Sequence, residues 1–285
     1  MRSLSGLLFL LVVVAGARPA SAAESYDNCV GFIDALPATI STQGVWCLHH
    51  DVATAITSGN AITIDANNVT LDCNGFKIGG LAGGPGTWAR GVHVPFGRVN
   101  ATVRNCSVRG FQYGLFLFGD RHLVERNRLD ANTVIGIVSN GNGIVIRANA
   151  VNDTGGAPDE RDATAIYAQG SGTRVVDNSI HGVVPAGWPD GQKLPYGILI
   201  ERGIAQGNRV TGLVQNGIQP AAGIIVGNDG RAIVRGNVTM QYASTVGMGI
   251  GVTPSATAIC QDNVVQGYQY GITAACEQSG NLVQP

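Results

Sequence analysis

Four stretches decide the fold once they are set one above another: Val103-Arg104-Asn105-Cys106-Ser107-Val108, Val124-Glu125-Arg126-Asn127-Arg128-Leu129, Ile146-Arg147-Ala148-Asn149-Ala150-Val151 and Val175-Val176-Asp177-Asn178-Ser179-Ile180. Three more continue the series: Ala205-Gln206-Gly207-Asn208-Arg209-Val210, Val234-Arg235-Gly236-Asn237-Val238-Thr239 and Cys260-Gln261-Asp262-Asn263-Val264-Val265. An Asn returns at 105, 127, 149, 178, 208, 237 and 263, in steps of 22, 22, 29, 30, 29 and 26. Repeats of this kind are the signature of a stacked architecture.

A second motif precedes each Asn, a small residue followed by an apolar strand. It runs through Gly91-Val92-His93-Val94, Gly114-Leu115-Phe116-Leu117, Gly136-Ile137-Val138, Ala165-Ile166-Tyr167-Ala168, Gly197-Ile198-Leu199-Ile200, Gly223-Ile224-Ile225-Val226, Gly249-Ile250-Gly251-Val252 and Gly271-Ile272-Thr273. From the small residue to the next Asn the chain takes 11 to 14 residues, whereas from each Asn to the next small residue it takes 8 to 19. Length therefore varies on one side of the unit. A period near 22 is too short for a βαβ unit, which needs roughly 30 residues. It suits a parallel β-solenoid whose coils stack about 4.8 Å apart. In that setting the Asn is expected at a tight corner, where it tolerates left-handed φ and where its amide can pair with the coils above and below. Gly relieves crowding at the other bends. Near the N-terminus either Cys73 or Asn74 is expected at the same corner.

Composition agrees. The chain has 41 Gly in 285 residues, about 14% against a usual ~7%. Charged residues are only 13%, with Lys+Arg 18 against Asp+Glu 19 and a formal net charge of -1. That balance excludes a nucleic-acid binder working through a basic stripe. A hydrophobic content of 45% excludes a disordered tail, and the Gly residues lack the three-residue period of collagen.

Arg2, the apolar run Leu7 to Gly16 and the small residues Ala20-Ser21-Ala22 read as a secretory signal over residues 1–23. Ten apolar residues fall short of the ~20 that span a bilayer, so no membrane span is expected after cleavage. Residues 24–60 lack the full unit and are expected to cap the solenoid, which then occupies 61–285. The six Cys all lie in the exported part and suggest disulfides in an oxidising compartment, periplasmic or secreted. Proximity in the repeat register pairs Cys29 with Cys47, Cys73 with Cys106 and Cys260 with Cys276. Buried free thiols are the alternative.

The first coils, Pro37-Ala38-Thr39-Ile40-Ser41-Thr42, Gly44-Val45-Trp46-Cys47-Leu48, Ala61 to Ile78 and Ala101 to Phe111, resemble exported members of the pectate-lyase-like superfamily. The resemblance covers the whole mature chain. It implies an all-β, right-handed parallel β-helix, here of about eight coils, and carbohydrate as the commonest ligand. It does not carry a reaction, since one solenoid hosts many. Of the Gly-His-Gly of polygalacturonase-like hydrolases only His181-Gly182 is present, and neither the Trp-Ile-Asp-His nor the Arg-x-Pro-x-x-Arg segment of pectate lyases occurs. No catalytic residue can be assigned, and whether the chain is an enzyme stays open.

In each Gly-Ile-x-apolar strand, x points outward. The outward file reads His93, Phe116, Val138, Tyr167, Leu199, Ile225, Gly251 and Thr273. A calcium-dependent lyase face would carry Asp, Glu, Arg and Lys there. The apolar file is expected to lie under the long segments as a packed layer, with a flat sugar platform as the alternative. Those segments, Asn152 to Thr164, His181 to Tyr196 and Thr211 to Ala222, carry the scarce charge. The outward residues Asn140, Gln169 and Glu201 share the face.

A groove beside Tyr167 is the expected site. Asp162, Glu201 and Lys193 would be its polar or acid-base groups, and Trp188 would stack on a sugar. Lys193 stands out because Lys77 is the only other lysine. The competing view makes these solvated loop charges and Trp188 a loop anchor. His49-His50 suggests a metal handle, but His93, His122 and His181 fall on different coils. No metal site is therefore expected, no cofactor is implied, and nothing supports calcium. The expected partner of this monomer is a polysaccharide or other glycan, bound or processed along the loop-lined side. The alternative is a non-catalytic structural or surface-interaction solenoid.

Overall fold

A computed structural model of the protein describes residues 26–158, 162–185, 194–215 and 220–284, apart from the side chains of 243–245. The signal segment expected at 1–23, together with Trp188 and Lys193, lies outside these residues. The chain winds as a right-handed parallel β-helix of about eight turns, flanked by short-stranded turns at either end. The early coils are three short strands each, as in Arg90–Val94, Thr102–Arg104 and Ser107–Arg109, followed by Tyr113–Phe118, Leu123–Glu125 and Arg128–Asp130, whereas later strands such as Pro195–Gln206 and Ala221–Arg235 run on from one face to the next. Each strand pairs in parallel with its equivalent one coil away, so the solenoid has three faces. Among the described residues the only helical element is the 3-10 turn Leu81–Gly83.

Like stacks on like inside. On the first face Ile62, Val92, Leu115, Ile137, Ile166, Ile198, Ile224 and Ile250 form one file, and each is 0% exposed. Burial of each such side chain contributes roughly 1.5–3 kcal/mol. The small residue before each aliphatic is set by this packing. A Cβ on Gly197 would collide with both the Gly223 carbonyl oxygen and Val210 Cγ1. The chain therefore turns two successive residues inward, the small one against the third face and the aliphatic into the axis. On the outer side of the second face, charges alternate along the stack: Arg104 Nε sits 2.7 Å from Asp72, and Arg147 donates two bonds to Glu125 Oε2.

The asparagine file is real, with a correction at its start. Asn127, Asn149, Asn178, Asn208, Asn237 and Asn263 stack in order, and Asn281 extends the file by one more rung. In each pair the Nδ2 and main-chain N–H of one Asn donate to the Oδ1 of the next; for Asn149 these bonds to Asn178 are both 3.0 Å. Nδ2 also donates to a carbonyl one coil below, Val124 in this case. Asn105 does not belong to the file. Cys106 occupies its place, donating its N–H to Asn127 Oδ1, and Ser107 pairs with Arg128. The strictly equivalent step is thus 21 rather than 22.

Nor is left-handed backbone the reason for the Asn. The residue before it takes that conformation: Arg126, Ala148, Asp177, Gly207, Gly236 and Asp262 all have φ between 54° and 66°. Asn105 and Asn74, at φ 53° and 50°, are such predecessors. In the coil of Cys73 the corner is longer, with Cys73 to Phe76 between Asp72 and Lys77 where the next coil has only Asn105 and Cys106. Neither Cys73 nor Asn74 alone fills the ladder position.

All three expected disulfides form, Cys29–Cys47, Cys73–Cys106 and Cys260–Cys276, with Cα separations of 5.8, 4.7 and 5.9 Å. The segment expected as a cap supplies strands of its own. Ala38–Ile40, Gly44–Cys47 and Val52–Ala53 each pair in parallel with the coil above.

Candidate functional site

The first face is where the long segments return to the stack, and its outward side chains are held in files by the parallel register. His93, Phe116, Val138, Tyr167, Leu199, Ile225 and Gly251 follow one another rung by rung. They do not lie uniformly under a packed layer. Val138 and Ile225 are 6% and 8% exposed, but His93, Phe116, Tyr167 and Leu199 are half-buried and reach solvent.

At the N-terminal end of this face the side chains form an aromatic cluster. Phe116 stacks on Tyr113 at 5.0 Å with 14° between the rings, and Phe118 meets it edge-on at 4.8 Å. His93 lies 5.6 Å from Phe116, and the Arg90 guanidinium carbon stands 4.5 Å over the Phe116 ring. Parallel pairing causes this, because Tyr113 and Phe116 stack directly on Arg90 and His93. His93 Nδ1 is 3.0 Å from the Phe116 carbonyl oxygen, to which a neutral ring donates. Burial, with Arg90 alongside, holds the His93 pKa below the usual histidine value.

Two coils on, the face turns polar. Asn140 Nδ2 donates to Gln169 Oε1 at 3.2 Å, and Gln169 Nε2 donates to Glu201 Oε1 at 2.8 Å and to the Tyr167 hydroxyl at 2.6 Å. The Tyr167 hydroxyl donates to the same Glu201 oxygen at 3.3 Å, as does Asn228 Nδ2 at 2.9 Å. Burial first, then the Glu201 carboxylate, pushes the Tyr167 pKa up to about 12. Tyr167 is therefore a donor at neutral pH and unsuited to abstract a proton. Glu201 Oε2 takes part in none of these bonds.

Of the five residues singled out from the sequence, the structure brings Tyr167 and Glu201 into contact. Asp162 stands apart at the start of the strand, where its Oδ1 accepts the Leu194 N–H at 2.9 Å. Burial and the Asp162 charge raise Tyr196 to about 12. Asp162 lies seven steps along the strand from Gln169, the rung beside Glu201, which is roughly 23 Å at about 3.3 Å per residue. Lys193 and Trp188 lie outside the described residues.

Sequence reasoning missed Arg90, Tyr113, Phe118 and Asn228. Phe118 was within reach, two residues beyond Phe116 on an alternating strand. Arg90 and Tyr113 were hidden because simple alternation fails at the doubled inward pair, which puts residues three apart on the same side.

No family model matches the chain, and no curated protein matches it. Among solved structures the Dettilon tailspike protein gp208 shares 15% identity with a TM-score of 0.54, covering 89% of this chain and 60% of its own. A mutant DFA-IIIase from Arthrobacter chlorophenolicus A6, in complex with DFA-III, shares 11% identity with a TM-score of 0.51, covering 88% of this chain and 77% of its own. The likeness is one of fold. This chain thus spans well under the full length of the tailspike, and the pectate-lyase-like superfamily remains a resemblance of sequence.

The face offers a flat aromatic surface with one cation above it, then a comb of amides around a single carboxylate. Glu201 is the carboxylate at the centre of the comb. Beyond the polar comb lies an apolar cleft of about 360 Å³, lined by Leu194, Tyr196, Ile225, Met248 and Pro254.

Proposed function

We propose that the chain is an exported glycan-binding β-helix whose first face holds an oligosaccharide lengthwise across successive coils. One observation carries this reading: the aromatic cluster of Tyr113, Phe116 and Phe118 runs on, rung by rung, into the Asn140, Gln169, Glu201 and Asn228 comb. Apolar sugar faces stack on aromatic rings, while ring hydroxyls need paired donors and acceptors such as amides and a carboxylate. The fold is shared with an enzyme solved in complex with DFA-III. Three disulfides fit an oxidising compartment, and no helix among the described residues is long and apolar enough to cross a membrane.

Binding without cleavage is the activity this face supports best. A glycosidase needs two carboxyl groups about 5–9.5 Å apart; of the carboxylates singled out from the sequence, Asp162 is roughly 23 Å along the strand from the rung of Glu201. The site is therefore Tyr167 and Glu201 with the aromatic cluster, and Asp162 would act at its margin.

The test is a glycan array followed by titration calorimetry on the best ligand. Phe116→Ala is expected to weaken binding about tenfold, the worth of one good ring stack of about 1.5 kcal/mol. Product analysis should show neither new reducing ends nor unsaturated sugars. Absence of any glycan signal would leave the structural or surface-interaction solenoid as the surviving reading.

A further inference from the structure

At the N-terminal end of the solenoid, away from the first face, one ring nitrogen each of His49 and His50 and a carboxylate oxygen of Asp34 lie within 4.8 Å of one another. We propose that these three residues form a binding site for a divalent transition-metal ion of the imidazole-preferring class, such as zinc. The sequence reading expected no metal, because the two histidines stood alone in it. Asp34 is supplied by the fold.

The juxtaposition follows from strand pairing. Cys29–Phe32 runs parallel to Gly44–Cys47 with Phe32 opposite Cys47, and Ile33 donates its N–H to the Cys47 carbonyl. Two residues further on, Asp34 stacks against His49, with Oδ1 2.8 Å from His49 Nε2. The chain bends at His49 and His50 instead of continuing as a strand, which lets adjacent side chains meet; their rings are 4.8 Å apart. His50 Nε2 is 3.3 Å from the Asp34 main-chain oxygen. That is the kind of bond that orients a metal-bound imidazole.

Two further features hold the group in place before any ion arrives. The Cys29–Cys47 disulfide ties the two strands together just ahead of it. Phe32 stacks on His49 at 4.8 Å and Tyr26 meets both rings edge-on. Two imidazoles and one carboxylate suit zinc, copper or nickel and suit calcium poorly, since calcium takes six or more oxygens. Metal–ligand distances near 2.1 Å place ligand atoms at most about 4.2 Å apart, so closing from 4.8 Å requires only rotamer adjustment of exposed side chains. Water would complete the coordination.

The experiment is isothermal titration of the full mature chain, without a polyhistidine tag, using zinc chloride with calcium chloride as the control. One zinc per chain and no calcium binding at the same concentrations are expected. His50→Ala and Asp34→Asn should each weaken zinc binding at least about tenfold, and His49→Ala with His50→Ala should abolish it. Because His49 also packs on Phe32, the circular dichroism spectrum and Tm of each variant are measured alongside. His50→Ala, whose side chain is exposed, serves if His49→Ala fails to fold. Zinc binding that is absent in the parent chain, or unchanged in folded His50→Ala and Asp34→Asn, would overturn the site. Neither result bears on glycan binding at the first face.

Discussion

At the scale of the residue, the corner between the second and third faces separates two jobs that the repeat had merged. Ladder asparagines are wanted for their amide. The residue before each is wanted for its left-handed φ, which Arg, Ala, Asp, Gly and Asn all accept here. Substitution should divide the two roles. Asn149→Ala strands the Asn127 main-chain N–H, leaves Asn127 Nδ2 only its bond to Val103, and removes the side-chain donor to Val124 and Asn178. At about 1–3 kcal/mol for each buried group left unpaired, the expected loss is at least about 3 kcal/mol in denaturant unfolding. Asn105→Gly, one place early on the same count, should change stability by less than about 1 kcal/mol, since Gly suits φ 53° and only a part-exposed bond to Asp72 is lost. Equal losses at the two positions would refute the register. A repeated Asn was visible in the sequence, but not which of two neighbouring roles it filled, because spacing alone cannot distinguish a side-chain need from a backbone one.

His122 makes a second prediction at this scale. Its side chain is buried, Nδ1 accepts the Ala101 N–H at 3.0 Å and Nε2 lies 2.9 Å from the Phe118 oxygen. This is a neutral imidazole with the proton on Nε2. Burial is the main cause that lowers its pKa. Below the unfolded value, near 6.5, the unfolded chain binds the proton more readily than the folded one. The stabilisation from neutral His122 is therefore complete above that pH and lost as pH falls from it towards the lowered folded value. The Tm of the parent chain should drop between pH 7 and pH 5. His122→Gln should start lower at pH 7 but show a shallower drop, and parallel curves would refute the assignment.

At the scale of the element, the first face shows what alternation can and cannot reveal. The file from His93 to Thr273 was legible because the x position repeats beside an obvious aliphatic. Its partners Arg90 and Tyr113 were not, since the strand turns Gly91 and Val92 inward together. Each small residue there is a steric requirement. Gly197→Ala would press a methyl against the Gly223 carbonyl and Val210, so a loss of about 1–3 kcal/mol is expected. A mutant as stable as its parent would mean that the coils can part at no cost. The polar comb is subtler. Gln169 and Glu201 could be placed on the face from their offset, but only the folded register shows Gln169, Tyr167 and Asn228 gathered on one Glu201 oxygen. Tyr167→Phe deletes one of the bonds to that oxygen while keeping the ring. Glycan affinity should fall by about threefold, less than for Phe116→Ala, with Tm nearly unchanged.

At the scale of the whole molecule, a solenoid is close to one-dimensional, because each coil touches only the coils on either side. Its stacked coils and disulfide pairing were readable from period and Cys spacing, and its right-handed winding from the resemblance, whereas its end at Asp34, His49 and His50 was not. There the deciding contact joins residues fifteen apart through a pairing that breaks the repeat. One-dimensional packing also means that stability is local. Among the described residues, Cys276–Ser279 and Leu282–Gln284 pair on one side only, and Leu282 and Val283 are 53% and 44% exposed. What holds them is the rung from Asn263 to Asn281 and the Cys260–Cys276 bond. Replacing both of these cysteines with Ala should speed amide hydrogen exchange across 257–284 about a hundredfold or more, since closing a 16-residue loop is worth about 3 kcal/mol. Exchange in 123–180, several coils away, should be unchanged. A uniform acceleration along the chain would mean that the coils unfold as one cooperative unit, and the additive, nearest-neighbour account of this solenoid would fail with it.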